Sequence, residues 1–207
     1  MKLIILNICC FLVCLTAYGQ DSTFDIGKSQ KINFTKYSLA ERVGFYPFNI
    51  AFKVAIVSFD KQVKKIDSSD WRFGKSSYKD YKGDVEYGLQ FLNDTICLSK
   101  LTQIKILDTN QVDSLTDILY NTCYRWTITE TTKAMCYLPH NAVLFFDKNE
   151  KVIDYIEICF DCYQFKYSNN RIERFDQCDF AVWDLRKYFR KLGLCVTEKD
   201  FDNKTSR

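Results

Sequence analysis

An α+β fold, with an antiparallel sheet packed against two helices, is the architecture that the sequence predicts. Short apolar runs that alternate with polar residues predict strands, and two longer segments with apolar residues at helical spacing predict helices. The elements follow the order strands, helix, strand meander, helix, which is typical of α+β proteins. The chain has 207 residues, 47% of them apolar, so it is long enough to bury a core.

The N-terminal segment has the pattern of a secretory signal peptide. Lys2 precedes an apolar run over residues 3–16, and Ala17 and Gly19 supply the small side chains that a cleavage site needs. The run has about 14 residues, whereas a membrane-spanning helix needs roughly 20. We therefore expect residues 1–19 to be a signal peptide and the protein to be exported to the periplasm or the extracellular space. No stable membrane insertion is expected after cleavage; an uncleaved anchor is the alternative.

The N-terminal half of the mature chain is predicted to be rich in strands. A polar leader at residues 20–30 precedes a β-rich part at 31–95. Within it, apolar residues at every second position from Phe48 to Ile56 predict a strand or a strand pair with one buried face. Residues 61–88 are polar and predict a long surface excursion with room for a short hairpin.

Residues 96–196 are predicted to form an α+β unit that contains the cysteines of the mature chain. Its first half starts with an alternating run at 101–107, which predicts a half-buried strand. Asp108 or Thr109 is the expected N-cap of a helix over about 109–121. The Thr-rich stretch at 127–136 is expected to be extended.

The second half of this unit is predicted to be a strand meander that leads into a helix. Two apolar runs at 142–146 and 152–160 flank polar turn residues and predict a β-hairpin. Residues 164–167 are the candidate third strand. A helix over about 178–192 follows, with Gly193 at its expected end, and a polar tail occupies 197–207.

Export changes the meaning of the cysteines. Seven of them remain after signal cleavage, and in an oxidising compartment such a set predicts disulfides before it predicts a metal site. Because seven is odd, at least one thiol stays free or pairs with another chain. They are Cys97, Cys123, Cys136, Cys159, Cys162, Cys178 and Cys195.

The most distinctive sequence is a pair of short motifs that surround the predicted hairpin. The first is Cys-Tyr-Leu-Pro-His-Asn-Ala from Cys136 to Ala142, and the second is Ile-Cys-Phe-Asp-Cys ending at Cys162. Over residues 101–194 the chain resembles a group of uncharacterised secreted bacterial proteins with a Cys-Tyr-x-Pro turn, a hairpin, an Ile-Cys-Phe-x-Cys run and a C-terminal helix. It departs from their pattern at His140, where the group carries Arg. The resemblance implies these fold boundaries and no reaction.

A structural disulfide is the interpretation that the sequence favours for these cysteines. Strand pairing would bring Cys136 to Cys159 or Cys162, and a bridge needs Cα atoms within about 4.4–6.8 Å. Such a bridge would stabilise the fold by roughly 2–4 kcal/mol. Cys178 follows the loop that leaves Cys162, so Cys162 and Cys159 are also its nearest candidates in sequence.

Cys178 and Cys195 flank the C-terminal helix and are not expected to pair with each other. At about 1.5 Å per residue they lie roughly 25 Å apart along a continuous helix. This separation exceeds the reach of a disulfide. Cys195 is instead expected to reach Cys97 or Cys123 if the helix packs on the sheet.

Two alternatives use the same motifs for chemistry. Cys159 and Cys162 form a C-x-x-C pair of the kind used by thiol–disulfide oxidoreductases, although no helix start follows to lower the thiol pKa. Cys136, His140, Cys159 and Cys162 also have an allowed spacing for zinc. An Arg at position 140 in the similar proteins argues against zinc, and no metal or cofactor is expected.

The composition excludes other classes of function. The 29 basic and 26 acidic residues give a formal net charge of +3 without a basic stripe, so nucleic acid is not an expected partner. His140 is the only histidine, which excludes sites that need two. Glu157 and Asp161 lie four residues apart on a predicted strand, but the sequence shows no pocket for an acid pair.

We therefore expect an exported, disulfide-supported domain with a non-catalytic role, either as an interaction domain or in the cell envelope. Its partner would be an unidentified protein or glycan. Trp71 or Trp126 could stack on a sugar, but core packing and compositional bias explain most of the aromatic residues without a ligand. No catalytic residue is assigned. A thiol–disulfide oxidoreductase that uses Cys159 and Cys162, or a Cys/His zinc module, is the alternative.

Overall fold

The computed structural model describes residues 31–64, 84–127, 131–134 and 136–197. The expected signal peptide and leader, Trp71 with the rest of 65–83, and the tail from residue 198 lie outside the described residues.

Apart from a short first helix that the sequence did not predict, strands and helices follow the predicted order. The helices are α1 (Leu39–Gly44), α2 (Thr109–Asn121) and α3 (Asp179–Lys191), and short 3-10 turns span Leu98–Lys100 and Thr122–Arg125. The strands are β1 (Lys53–Ser58), β2 (Gln62–Lys64), β3 (Asp84–Glu86), β4 (Phe91–Leu92), β5 (Thr95–Ile96), β6 (Gln103–Ile106), β7 (Asn141–Phe146), β8 (Val152–Cys159) and β9 (Gln164–Tyr167).

A five-stranded antiparallel sheet in the order β6-β1-β7-β8-β9 forms the centre of the protein. Two smaller pairs, β2 with β3 and β4 with β5, lie outside it. Strand β1, which lies second in the sheet, pairs with both β6 and β7, so residues from the predicted parts 31–95 and 96–196 share one sheet. The predicted α+β class, with an antiparallel sheet and helices over about 109–121 and 178–192, is confirmed.

Helices α2 and α3 pack on one face of the sheet. Leu115 and Leu119 of α2, and Leu185 and Phe189 of α3, are almost fully buried in this core. A capping box in which Asp108 and Gln111 exchange side-chain and backbone hydrogen bonds starts α2. Gly193, at a φ of +86°, ends α3 as predicted.

The opposite face of the sheet is covered by the segment from Gly88 to Ile96. Ala55 and Ala142 in the neighbouring strands β1 and β7 are fully buried there, and Leu89 and Ile96 pack in the same cluster. Glu157 of β8 is also buried, and its carboxylate accepts the backbone N–H of Leu89. Both sheet faces are therefore covered near the end of β8.

A charged network joins α1 to α2. The buried Arg42 donates to the carbonyl of Tyr37 and pairs with Asp113. Asp117 lies 3.6 Å from Arg42 and accepts two hydrogen bonds from Arg125, at 2.6 and 2.7 Å. Burial acts to raise the pKa of Asp117, but the bonds from Arg125 and Asn121 outweigh it and hold the pKa below its ordinary value.

Three expectations for the local structure need correction. The alternating run that starts at Phe48 becomes a strand only from Lys53, and Phe52 is exposed before it. The strand expected to be half-buried, β6, lies at the sheet edge with Ile104 exposed. In the Thr-rich stretch at 127–136, the described residues form no strand.

Candidate functional site

Four cysteines form two disulfides among the described residues. Cys123 pairs with Cys178 with Cα atoms 5.8 Å apart, and Cys159 pairs with Cys162 with Cα atoms 5.2 Å apart. The expected bridge from Cys136 to Cys159 or Cys162 is therefore wrong. Cys178 is bonded to Cys123 and not to either of its nearest candidates in sequence.

Chain geometry explains both pairings. Strand β8 ends at Cys159, and the chain turns back through residues 160–163 into β9, which brings Cys162 beside Cys159. The other bridge joins the turn after α2 to the N-cap of α3. Cys178 and Cys195 do not pair with each other, as predicted, and Cys195 belongs to neither disulfide.

Cys136 is an exposed thiol that lies directly against the buried disulfide. Its Sγ is 3.5 Å from the Sγ of Cys162. Cys159 is only 1% exposed and Cys162 is fully buried, so Cys136 is the sulfur of this group that faces solvent. The backbone N–H of Leu138 donates to Cys162 Sγ at 3.3 Å. We call Cys136, Cys159 and Cys162 the cysteine trio.

Hydrogen bonds to the strands hold the segment that carries Cys136. The Gln164 side-chain amide donates to the carbonyls of Ala134 and Cys136, and the Ala134 N–H donates to the carbonyl of Cys162 at 3.2 Å. These contacts fix the exposed thiol relative to the turn that contains the disulfide.

A buried carboxylate fastens the residue next to Cys136. Glu157 is only 3% exposed and accepts the hydroxyl of Tyr137 at 2.9 Å on Oε2, while Oε1 accepts the N–H of Leu89 at 2.6 Å. Burial, together with the nearby Glu157 charge, raises the pKa of Tyr137 above its ordinary value, so Tyr137 stays a donor. Gly88 has a φ of +104°, and a Cβ there would lie 2.9 Å from Glu157 Oε1.

The acid pair considered from the sequence does not form, and of the two candidate sugar-stacking residues only Trp126 is described. Glu157 lies inside the sheet packing, whereas Asp161 is in the following turn, is exposed and pairs with Arg186 at 3.0 Å. The Trp126 ring stacks on Phe180 at 3.8 Å between centroids, so that face of the indole is covered by protein.

The alternative zinc set is also not assembled. His140 is buried, with Nδ1 3.2 Å from the carbonyl oxygen of Phe59 and its ring against Tyr87. Cys159 and Cys162 are bonded to each other. Across the part of the chain that the structure describes, no group of three or more His, Cys, Asp or Glu side chains is placed to hold a metal ion.

Sequence reasoning found the cysteine trio but missed the residues that position it. Tyr137, Gln164 and Leu89 carry no motif of their own. Gly88, which precedes Leu89, is the one local signal among these residues, because glycine favours the positive φ that the backbone adopts there.

No protein family matches this chain, and no match was found among curated proteins or among solved structures. What the site does is therefore inferred from its own geometry.

Proposed function

We propose that this chain is an exported thiol–disulfide exchange protein that works through the cysteine trio. The main evidence is that the exposed Cys136 thiol lies 3.5 Å from the Sγ of Cys162. Cys162 belongs to the buried disulfide with Cys159. This function is the oxidoreductase alternative and not the non-catalytic interaction domain that the sequence favoured. Its catalytic residues are Cys136, Cys159 and Cys162.

The first step moves the disulfide to the surface. Cys136 loses its thiol proton to solvent and the thiolate attacks Cys162 Sγ. The Cys136–Cys162 bond forms, the Cys159–Cys162 bond breaks, and its electron pair leaves on Cys159, which takes up a proton. This step is an isomerisation, so it needs no oxidant or reductant.

The second step oxidises a partner that carries two thiols. One partner thiolate attacks the exposed Cys136 Sγ, and Cys162 leaves as a thiolate that is then protonated. The second partner thiol displaces Cys136 as a thiol and closes the partner's disulfide. Two electrons and two protons pass from the partner dithiol to the protein, which ends with three thiols.

The site supplies a substitute for the helix start that activates thioredoxin-like pairs. The Leu138 N–H that donates to Cys162 Sγ stabilises negative charge on that sulfur when it is the leaving group. A better-stabilised leaving thiolate departs faster. The absence of a following helix, which argued against redox chemistry from the sequence, is thus offset by a backbone hydrogen bond.

Two features of the chain support the exported location in this proposal. Disulfides form and persist in oxidising compartments, and two of them link residues that the structure describes. The N-terminal pattern is that of a signal peptide. None of the helices described is sufficiently long and apolar to cross a membrane.

The test is the rate at which the oxidised protein accepts electrons from a model peptide dithiol. We expect Cys136→Ser to slow this reaction by at least about tenfold, because the remaining disulfide is buried. Cys97→Ser is the matched control and should react like the wild type, since Cys97 is outside the trio. An unchanged rate for Cys136→Ser would overturn the proposal and restore the interaction domain.

A further inference from the structure

A basic cleft of about 480 Å³ lies along strand β9. Three cationic side chains, Lys133, Lys166 and Arg174, line it together with side-chain amides and two aromatic rings, and its lining contains no carboxylate. None of the three cations forms an ion pair with a residue that the structure describes. Arg174 lies over the ring of Tyr167, 5.5 Å from its centroid, which holds its guanidinium at the cleft.

Gln164 connects the cleft to the segment that carries Cys136. Gln164 lines the cleft, and its amide donates to the Cys136 carbonyl at 3.2 Å. Lys133 adjoins Ala134, whose N–H donates to the Cys162 carbonyl. The cleft is therefore connected to the Cys136 backbone through the side chain of Gln164.

We propose that the basic cleft selects, as exchange partners of Cys136, thiols and disulfides that carry carboxylates beside the sulfur. This inference rests on the proposed exchange function and names its substrate class. The volume is in the usual range for small-ligand sites, about 300–1,000 Å³, and fits a small anionic thiol or a few residues of an acidic peptide. Three cations without a carboxylate attract such groups and raise their local concentration.

The test compares exchange rates of the reduced protein with probes that differ in charge. The peptide probes are disulfide-linked dimers of a tripeptide with Cys between two Glu, two Ser or two Lys residues. The small probes are dithiobis(nitrobenzoate), which is anionic, and dithiodipyridine, which is neutral. Rates are normalised to the neutral probe of each size, so that a general change in thiol reactivity cancels.

We expect the wild type at low salt to prefer the Glu peptide to the Lys peptide by about tenfold, with the preference falling as salt is added. Lys133→Gln, Lys166→Gln and Arg174→Gln together should reduce the preference to about twofold or less.

A charge-matched control changes three exposed lysines away from the trio. Lys105 lies on the opposite edge strand, Lys148 in the turn at the far end of β8, and Lys191 at the end of α3. Their simultaneous change to Gln should leave the preference intact.

The outcomes separate the two proposals. Loss of the preference for anionic probes in the cleft variant, but not in the control variant, supports the inference. A preference for the small anionic probe alone identifies a small thiol as the substrate. A preference that the Glu peptide also shows identifies a partner chain. Exchange without charge preference, or a preference that survives the cleft variant, overturns the inference and leaves the exchange function standing. No exchange at Cys136 with any probe overturns both.

Discussion

Removing the hydroxyl of Tyr137 tests the contact that fastens the Cys136 segment to the sheet. Tyr137 donates to Glu157 Oε2 at 2.9 Å, and the Glu157 side chain is almost completely buried. Tyr137→Phe keeps the ring and its packing but leaves one carboxylate oxygen without that donor. The other oxygen still accepts the Leu89 N–H.

The expected cost follows from the charge and burial of the acceptor. Hydrogen bonds to charged groups contribute about 1.5–3 kcal/mol, and an acceptor left buried without a partner also loses its hydration. We therefore expect Tyr137→Phe to lower the free energy of unfolding by about 2 kcal/mol. Because Glu157→Gln removes the charge, the double variant should show a coupling energy of about 1–2 kcal/mol.

Urea denaturation of the oxidised protein measures these values, provided that the slope of the transition is the same for all variants. Tyr124→Phe is the control, since its hydroxyl bonds to the exposed Asp176 and its loss should cost less than about 0.5 kcal/mol. A Tyr137→Phe cost as small as that of the control, or additive effects of Tyr137→Phe and Glu157→Gln, would refute the reasoning.

Three further outcomes follow from the structure. Cys123→Ala with Cys178→Ala opens a bridge between residues 55 apart, which should lower the free energy of unfolding in urea by about 4 kcal/mol; an unchanged midpoint would contradict a structural role. Asp117→Asn should destabilise by about 1 kcal/mol at neutral pH. Because the pKa of Asp117 is depressed in the folded protein, this contribution is fully present above the ordinary pKa of 3.8 and is lost as the pH falls through the lower folded-state value. The difference between wild type and Asp117→Asn, followed by thermal unfolding across pH, should therefore vanish in acid; a constant difference would refute the Arg125 pairing. Gly88→Ala places a Cβ against Glu157 at positive φ and should cost about 2–4 kcal/mol in the same urea assay, and a neutral effect would contradict the close approach.

The elements that the sequence predicted well are those specified by local patterns. Helix α2 begins after Asp108 because a capping box and an apolar stripe occur together within a few residues. The hairpin of β7 and β8 is predicted by two apolar runs on either side of polar turn residues. Helix α1 was missed because it has only six residues, and the buried Arg42 that ties it to α2 has no local signal.

The cysteine pairing depended on information that the sequence pattern does not contain. Cys136 lies near Cys162 as the expected bridge required, but it belongs to no strand, and Cys162 is bonded to Cys159 across the turn after β8. The bond between Cys123 and Cys178 requires α2 and α3 to pack side by side, a tertiary contact that no local pattern specifies.

Exchange between Cys136 and the neighbouring disulfide is tested most directly by mapping the linkages of the native oxidised protein. Acid quenching protonates the thiolates and stops exchange, and digestion in acid without reductant preserves the linkages present in solution. We predict two linkages that interconvert, Cys159–Cys162 within one peptide and Cys136–Cys162 between two peptides. Finding only Cys159–Cys162 after prolonged incubation at mildly alkaline pH, with Cys136 always a thiol, would contradict the exchange mechanism.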